Sequence, residues 1–401
     1  MPDRRADGAP VRVLCVTRIF PNRVEPSFGP YNKRQLAALR ELGWEVTVLN
    51  PVPWFPGAGL LRGRTRASVA GEVPREDEIA GLPVRHPRFL HVPRFAAVHA
   101  PLYAAGVLPD VERMRGRFDV ILSPFAYPDG VASILLGKLL GVPVVVKLHG
   151  GDMNVAAKNP PVGRWLRRTF PTVSRIIAVS YPLAEAAHSF GVPWSRLVVV
   201  EDGVDSAVFH PRDKVEAKRD VGLDPARRHI VYVGRLERRK GVYELMDAFD
   251  QVALRHPDVD LVLVGDGEDT EACKTWAQGL ADRVVMTGTL GIDDVARYYA
   301  ASDLSTLPSY AEGTPNCVIE SLACGRPVVA TAVGGVPDML HDVRMGELIP
   351  PKDVPALTAA LERALERSYD AQQIVRLTGR GTWRDSARHL GDVLSGAVEQ
   401  P

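Results

Sequence analysis

The chain has 401 residues, 46% of them hydrophobic and 24% charged, with a formal net charge of +1. Such a length suggests two to three domains of roughly 150 residues, and the composition is that of a globular chain rather than a disordered or fibrous one. The near-zero balance argues against a dedicated nucleic-acid binder, which carries a basic surplus, so no nucleic-acid partner is expected.

The four cysteines, Cys15, Cys273, Cys317 and Cys324, show no Cys-x2-Cys metal spacing and fall in apolar segments, as reduced thiols do. After Met1-Pro2-Asp3-Arg4-Arg5 the apolar run is too short for a signal peptide, and Arg18 interrupts it. The most apolar long stretch, 131–148, contains Lys138, Pro143 and Lys147 and is no spanning helix. A cytoplasmic location is expected.

In chain order, Val11 to Thr17 reads as a buried strand. A loop with Gly29 leads into a helix from Tyr31 to Leu42, and Trp44 to Asn50 is the second strand. Strand, glycine loop and helix begin a Rossmann-like half, whose ligands lie beyond the strands' carboxyl ends. Residues 51–117 are the least regular part. There, Arg85 to Phe95 interleaves cations with rings: an acceptor or membrane-surface patch, or an insertion with solvated arginines. The prolines in that run speak against one continuous amphipathic helix.

A strand at 119–123 and a helix at 129–140 follow. The strand from Pro143 to Leu148 then runs straight into His149-Gly150-Gly151-Asp152. A histidine at such a strand end can serve as acid, base or hydrogen-bond donor, and an isolated loop histidine can equally be structural. Arg164 to Phe170 is a second basic-aromatic cluster. A strand at 175–180, a helix at 182–190 and a strand at 198–201 lead to Asp202-Gly203-Val204-Asp205 and a linker near 209–213.

The alternation then restarts. The strand from His229 to Val233 is followed by Gly234-Arg235-Leu236-Glu237-Arg238-Arg239-Lys240-Gly241 and a helix at 242–255. Two cations five apart beside glycines suit a diphosphate, Arg as a planar fork and Lys as a point charge; a solvated basic loop fits the same pattern. A strand at 261–265 ends in Gly-x-Gly without the third glycine of a dinucleotide fingerprint. A strand at 284–288 leads to Thr289-Leu290, and a helix spans 293–301. The strand 303–308 opens the most distinctive stretch, 309–329. Here Thr314 reads as an N-cap with Pro315 at the first helical position, and Val318, Ile319 and Leu322 face a sheet. Free backbone donors at Gly313 to Asn316 form an anion seat. Glu312 and Glu320 only accept hydrogen bonds, which suits hydroxyl donors. A ligand that is part phosphate and part polyol fits, as does a capped helix with two solvated glutamates. A strand at 327–331, Gly334-Gly335, an amphipathic helix at 357–368 and a last helix at 383–396 complete the chain.

The spacing Glu312-x7-Glu320, followed by Ala-Cys-Gly-Arg-Pro-Val-Val-Ala-Thr and Gly334-Gly335, resembles glycosyltransferase family 4. So do the histidine-glycine pair at His149, the Gly-Arg-Leu…Lys-Gly loop, and Asp202-Gly203-Val204-Asp205, where Asp202 replaces the family's asparagine. The resemblance implies an α/β GT-B fold: two Rossmann-like doubly wound domains facing across a cleft. The first covers 1–204, completed by the helix in 381–401 crossing back to it; the second, 205–380, binds the nucleotide sugar. It implies a retaining enzyme that moves a hexose or derivative from a UDP or GDP sugar to a saccharide or lipid-linked hydroxyl acceptor. Cell-surface polysaccharide or glycolipid synthesis is the expected setting, with peripheral contact at the inner face of a membrane left open. Arg235 and Lys240 are expected to clamp the diphosphate with residues 313–316, and Glu320 to hold the ribose. Glu312 and His149 are expected on the donor sugar, Gly288 and Leu290 at the base, and Gly29 near donor and acceptor. No metal or cofactor is expected. A nucleotide-sugar 2-epimerase and a non-catalytic nucleotide-sugar binder are the alternatives.

Overall fold

Buried β-branched strands alternate with amphipathic helices along the chain, and they assemble into two α/β units. The computed structural model describes residues 10–26, 28–57, 71–92, 95–154, 156–280 and 282–399. One unit comprises Met1–Gly203 with Trp383–Pro401, the other Val204–Thr382. The first five residues, and Pro93 and Arg94 of the basic-aromatic run, lie outside the described residues.

The first unit holds β1 (Arg12–Val16), β2 (Glu45–Leu49), β3 (Val52–Trp54), β4 (Glu76–Ile79), β5 (Leu82–Arg85), β6 (Arg88–Leu90), β7 (Val120–Pro124), β8 (Val144–Leu148), β9 (Arg175–Ala178) and β10 (Leu197–Val199). Eight of these form one sheet in the order β10-β9-β8-β7-β1-β2-β5-β4, while β3 pairs with β6. The eight-stranded sheet is parallel except where β4 and β5 make a hairpin. Strands β7 and β8 are buried along their whole length, as expected of parallel strands covered on both faces. The terminal helix Trp383–Glu399 buries Trp383, Ala387, Leu390 and Leu394 in one cluster with Leu36 and Leu39 of the helix Pro30–Glu41.

The second unit holds β11 (Arg228–Val233), β12 (Val259–Val264), β13 (Val284–Gly288), β14 (Leu304–Leu307), β15 (Val328–Thr331) and β16 (Gly346–Ile349). They form a parallel sheet in the order β13-β12-β11-β14-β15-β16. The order reverses between β11 and β14. Ligands of open α/β sheets bind outside the carboxyl ends of strands at such a switch point, and the loops leaving β11 and β14 carry Arg235, Lys240 and Glu312.

Two sequence expectations are corrected. Residues 51–117 are more regular than their prolines and arginines indicate, containing β3 to β6 and an 18-residue helix, Ala96–Arg113. That helix carries Pro101 and Pro109 internally but buries Ala100, Tyr103, Val107 and Val111 along one stripe. An internal proline costs about 3 kcal/mol, and each large apolar side chain buried contributes about 1.5–3 kcal/mol. The stripe therefore offsets both breakers. The second correction concerns the helix after β14. It spans Asn316–Ala323, with Pro315 extended at its cap (φ −72°, ψ 114°) and no capping side chain. Thr314 is thus outside the helix, and Pro315 is its cap rather than its first turn. Among the described residues no helix is long and apolar enough to cross a membrane.

Candidate active site

In the second unit the helix Asn316–Ala323 is fixed from below. Val318, Ile319 and Leu322 are buried in the core, Ser321 Oγ lies 2.7 Å from Ser305 Oγ on β14, and Tyr299 donates to the Cys317 carbonyl at 3.0 Å. These contacts leave Asn316 and Glu320, one turn apart, on the half-exposed side. Asn316 Oδ1 is buried and has no hydrogen-bond partner among the described residues. The first turn's backbone donors point the same way as the positive helix end.

The loop before this helix is pinned by glycine. Gly334 has φ +56°, and a Cβ there would sit 2.0 Å from the Glu312 carbonyl oxygen. Its neighbour Gly335 donates its N–H to the Gly313 carbonyl at 2.7 Å. The paired glycines after β15 therefore set the path of residues 312–313, and with it the Glu312 side chain.

That carboxylate meets Lys240. Nζ lies 2.7 Å from Glu312 Oε1, with the two side chains 20% and 8% exposed. Arg235 projects from the same loop with its side chain 66% exposed and Nε 3.4 Å from Glu237 Oε2. Glu237 is itself nearly buried and also receives Arg239 at 2.5 Å. Arg238 is occupied elsewhere, its guanidinium lying over the Tyr243 ring at 4.2 Å. The structure thus brings Lys240 and Glu312 together and leaves Arg235 exposed at the end of β11. Tyr310 joins the two loops, donating its N–H to the Arg239 carbonyl at 2.9 Å and its hydroxyl to Glu244 at 2.6 Å. At the end of β13, Gly288 (φ +70°) turns the chain and its carbonyl accepts from the Gly265 N–H at 2.9 Å. Leu290 packs against the core from the loop that follows.

His149 and Gly29 belong to the first unit. Gly29 has φ +67° and caps the helix Pro30–Glu41; a Cβ there would meet the Ile19 carbonyl oxygen at 2.6 Å. His149 follows β8 with its side chain 8% exposed. Asp152 organises this loop, accepting from the backbone N–H groups of Gly150 at 2.8 Å, Ala126 at 3.0 Å and Met153 at 3.1 Å. Burial pushes Asp152 up to about 6, against the pull of those donors. The imidazole stacks at a tilt on Tyr31, centroids 4.6 Å apart. Burial, and then the nearby Lys147, push His149 down to about 3, with Asp202 opposing. A neutral imidazole carries one donor and one acceptor nitrogen. Its Nε2 is buried without a hydrogen-bond partner among the described residues. Its surroundings in the fold thus favour the neutral imidazole near pH 7.

Sequence reasoning did not single out Tyr31, Lys147 or Gln35. Lys147 had a signal: a lysine inside the run Val144–Leu148 must carry its charge into a covered sheet, which requires a partner. In the described part of the basic-aromatic run both arginines are partnered, while Leu90 and Phe95 are exposed. Arg85 pairs with Glu76 at 3.0 Å and Asp110 at 3.5 Å, Arg88 donates to the carbonyls of His86 and Val73, and Phe89 is buried. The other cluster lies on the helix Pro160–Thr169, where Trp165 donates to the Ala97 carbonyl at 2.8 Å while Arg164, Arg167 and Arg168 are exposed.

Two family models match. Residues 31–208 match the one described as Glycosyltransferase Family 4, and residues 227–367 the one described as Glycosyl transferases group 1. The protein named Putative teichuronic acid biosynthesis glycosyltransferase TuaC, of Bacillus subtilis (strain 168), is 32% identical over 371 residues, covering 91% of this chain and 90% of its own. Among solved structures, sucrose-phosphate synthase from Thermosynechococcus elongatus superposes with a TM-score of 0.75 at 19% identity, over 95% of this chain and 98% of that one. Anabaena HepE in complex with UDP gives 0.71 at 20% identity, over 96% and 99%.

Proposed function

The chain belongs to glycosyltransferase family 4 and has the GT-B fold, and on that premise we propose that it transfers a hexose or hexose derivative from a nucleoside-diphosphate sugar to a hydroxyl acceptor. The single observation that carries this reading is the Lys240–Glu312 pair at the switch point of the second sheet, beside the start of the helix Asn316–Ala323 and the exposed Arg235.

In this reading Arg235, Lys240 and the backbone N–H groups of Gly313, Thr314 and Asn316, on either side of Pro315, receive the diphosphate. As the bond from sugar to phosphate breaks, charge collects on the leaving oxygens. Fixed cations and a helix end stabilise that charge without reorganising. Arg235 supplies a fork and Lys240 a point charge. Glu320 accepts from the ribose hydroxyls, and Glu312, positioned by Lys240, accepts from the sugar. Gly288 and Leu290 flank the base. His149 serves from the first unit as a neutral hydrogen-bonding group to the sugar, with Gly29 shaping the loop at that unit's first strand. Neutralisation by two cations and a helix end leaves no role that a metal must fill. Retention of anomeric configuration follows from family membership as an expectation.

UDP is the nucleotide we favour, supported by the UDP complex of the Anabaena neighbour; GDP is the other candidate. For the acceptor we favour a saccharide, free or lipid-linked, supported by the teichuronic acid relative. The exposed arginines 164, 167 and 168 are the surface we assign to any contact with an anionic membrane. Both matching family models describe glycosyltransferases, and no observation favours the epimerase alternative. The test is release of nucleoside diphosphate from a panel of UDP and GDP sugars, with and without saccharide acceptors. Acceptor-dependent release supports transfer. Binding of nucleotide without turnover in any combination would favour the non-catalytic reading.

A further inference from the structure

The first unit contains a buried polar chain that the proposed reaction does not use directly. Lys147 Nζ, on a side chain 1% exposed, lies 2.7 Å from Asp202 Oδ1, on a side chain 4% exposed. The same ammonium donates to Gln35 Oε1 at 2.8 Å. Gln35 Nε2 donates to Ser386 Oγ at 2.9 Å, and Ser386 donates to the Glu201 carbonyl at 2.6 Å. At the other end, the second carboxylate oxygen of Asp202 lies 3.9 Å from His149 Nδ1. The chain links β8, the helix Pro30–Glu41, the terminal helix Trp383–Glu399 and the loop after β10.

We propose that Lys147 and Asp202 are a charge-matched positioning pair for His149, anchored through Gln35 and Ser386 to the terminal helix. The proposal rests on the reading of His149 as a sugar-contacting group. Asp202 stands where the family's motif has asparagine. An asparagine there could accept a hydrogen bond from a lysine but not balance its charge, and a buried ammonium needs a counter-ion. The departure from the motif and the lysine inside β8 therefore explain each other.

Tyr31 covers one ring face from the helix Pro30–Glu41, and Asp152 binds the loop's backbone. Lys147 approaches from β8 and Asp202 from the loop after β10. With the pair intact, the carboxylate's charge is spent on Lys147, and the histidine stays neutral beside a net-neutral pair. With Lys147 removed, Asp202 loses its ammonium counter-charge, and its carboxylate 3.9 Å from His149 Nδ1 draws a proton onto the imidazole.

The experiment compares wild type with Lys147→Met, Asp202→Asn and the double variant, using histidine-labelled protein. The His149 signal is identified by its loss in His149→Gln. In wild type, His149 should not titrate between about pH 8 and pH 5; in Lys147→Met it should titrate at or above the ordinary value of about 6.5. Turnover of Lys147→Met should fall roughly tenfold or more on the acid side of that value, with donor KM within about threefold of wild type. The double variant should be more thermostable than either single variant, and its His149 should again not titrate. An ordinary titration in wild type, an unchanged one in Lys147→Met, or additive losses of stability in the double variant would overturn the proposal. Should His149→Gln retain full turnover, the catalytic reading of His149 falls, while the titration result still decides whether the pair sets its charge state.

Discussion

Lys240 Nζ sits 2.7 Å from Glu312 Oε1 across 72 residues of sequence, joining the loop after β11 to the loop after β14. In a parallel sheet these strands are neighbours, so two loops distant in sequence close on one another at the switch point. The pair is partly solvated, so its own contribution to stability is about 1 kcal/mol or less. Its value lies in placement. Lys240→Ala should therefore lower turnover about 100- to 1,000-fold while shifting Tm little. A variant with wild-type turnover would remove Lys240 from the reaction.

Glu320 sits one turn beyond Asn316 on a helix whose other face is locked into the core. Its assigned work is ground-state binding of hydroxyls. Glu320→Ala should raise donor KM by roughly tenfold or more, leave kcat within a few-fold, and retain the fold. Steady-state kinetics with the preferred donor separates the two parameters. A fall in kcat at unchanged KM would contradict the role.

Gly334 carries no chemistry, yet its substitution should be costly. The added methyl of Gly334→Ala meets the Glu312 carbonyl oxygen at 2.0 Å, and alanine is strained at φ +56°. The loop from Glu312 to Gly313 must move, so donor affinity and turnover should both fall and Tm should drop by a few degrees. Gly335→Ala serves as the comparison, since Gly335 has an ordinary negative φ of −85°.

The buried histidine gives a pH prediction with a definite sign. His149 has its folded pKa pushed down to about 3, below the unfolded value of about 6.5. Between those values the unfolded chain binds a proton that the folded chain does not, so stability is lost as pH falls below about 6.5. Asp152, pushed up to about 6, acts in the opposite direction between about 6 and its unfolded value near 3.9. Denaturant melts of wild type and His149→Gln at pH 7.5 and pH 5 isolate the histidine. The stability lost on acidification should be smaller in the variant by about 2 kcal/mol. Equal losses would mean that the histidine is not held neutral.

Most strands of the two sheets were legible because parallel strands covered on both faces read as nearly continuous apolar runs, as in Val144–Leu148 and Val259–Val264, whereas β4, β5 and the short β16 were not. The helix Ala96–Arg113 was not, because Pro101 and Pro109 spoke locally against a helix that tertiary burial of Tyr103, Val107 and Val111 sustains. At the donor loops, the residue types were visible but their pairing was not: nothing in the spacing from Lys240 to Glu312 reveals a 2.7 Å contact. Thr314 looked like a cap because its chemistry suits one, whereas the extended Pro315 delays the helix by a residue. Lys147 and Asp202 were each visible as oddities, a charge in an apolar strand and an aspartate in place of asparagine. Only the fold shows that they answer one another.

The most direct test of the donor assignment is a thermal-shift panel of UDP, GDP and ADP, each with and without magnesium, on wild type and on Lys240→Ala. A ligand at about 100 times its Kd stabilises the protein by about 2.7 kcal/mol, a readable shift. One nucleoside diphosphate should stabilise wild type without magnesium, and this shift should shrink or disappear in Lys240→Ala. Stabilisation only in the presence of magnesium, or an equal shift in the variant, would contradict a diphosphate held by the cations of the β11 loop.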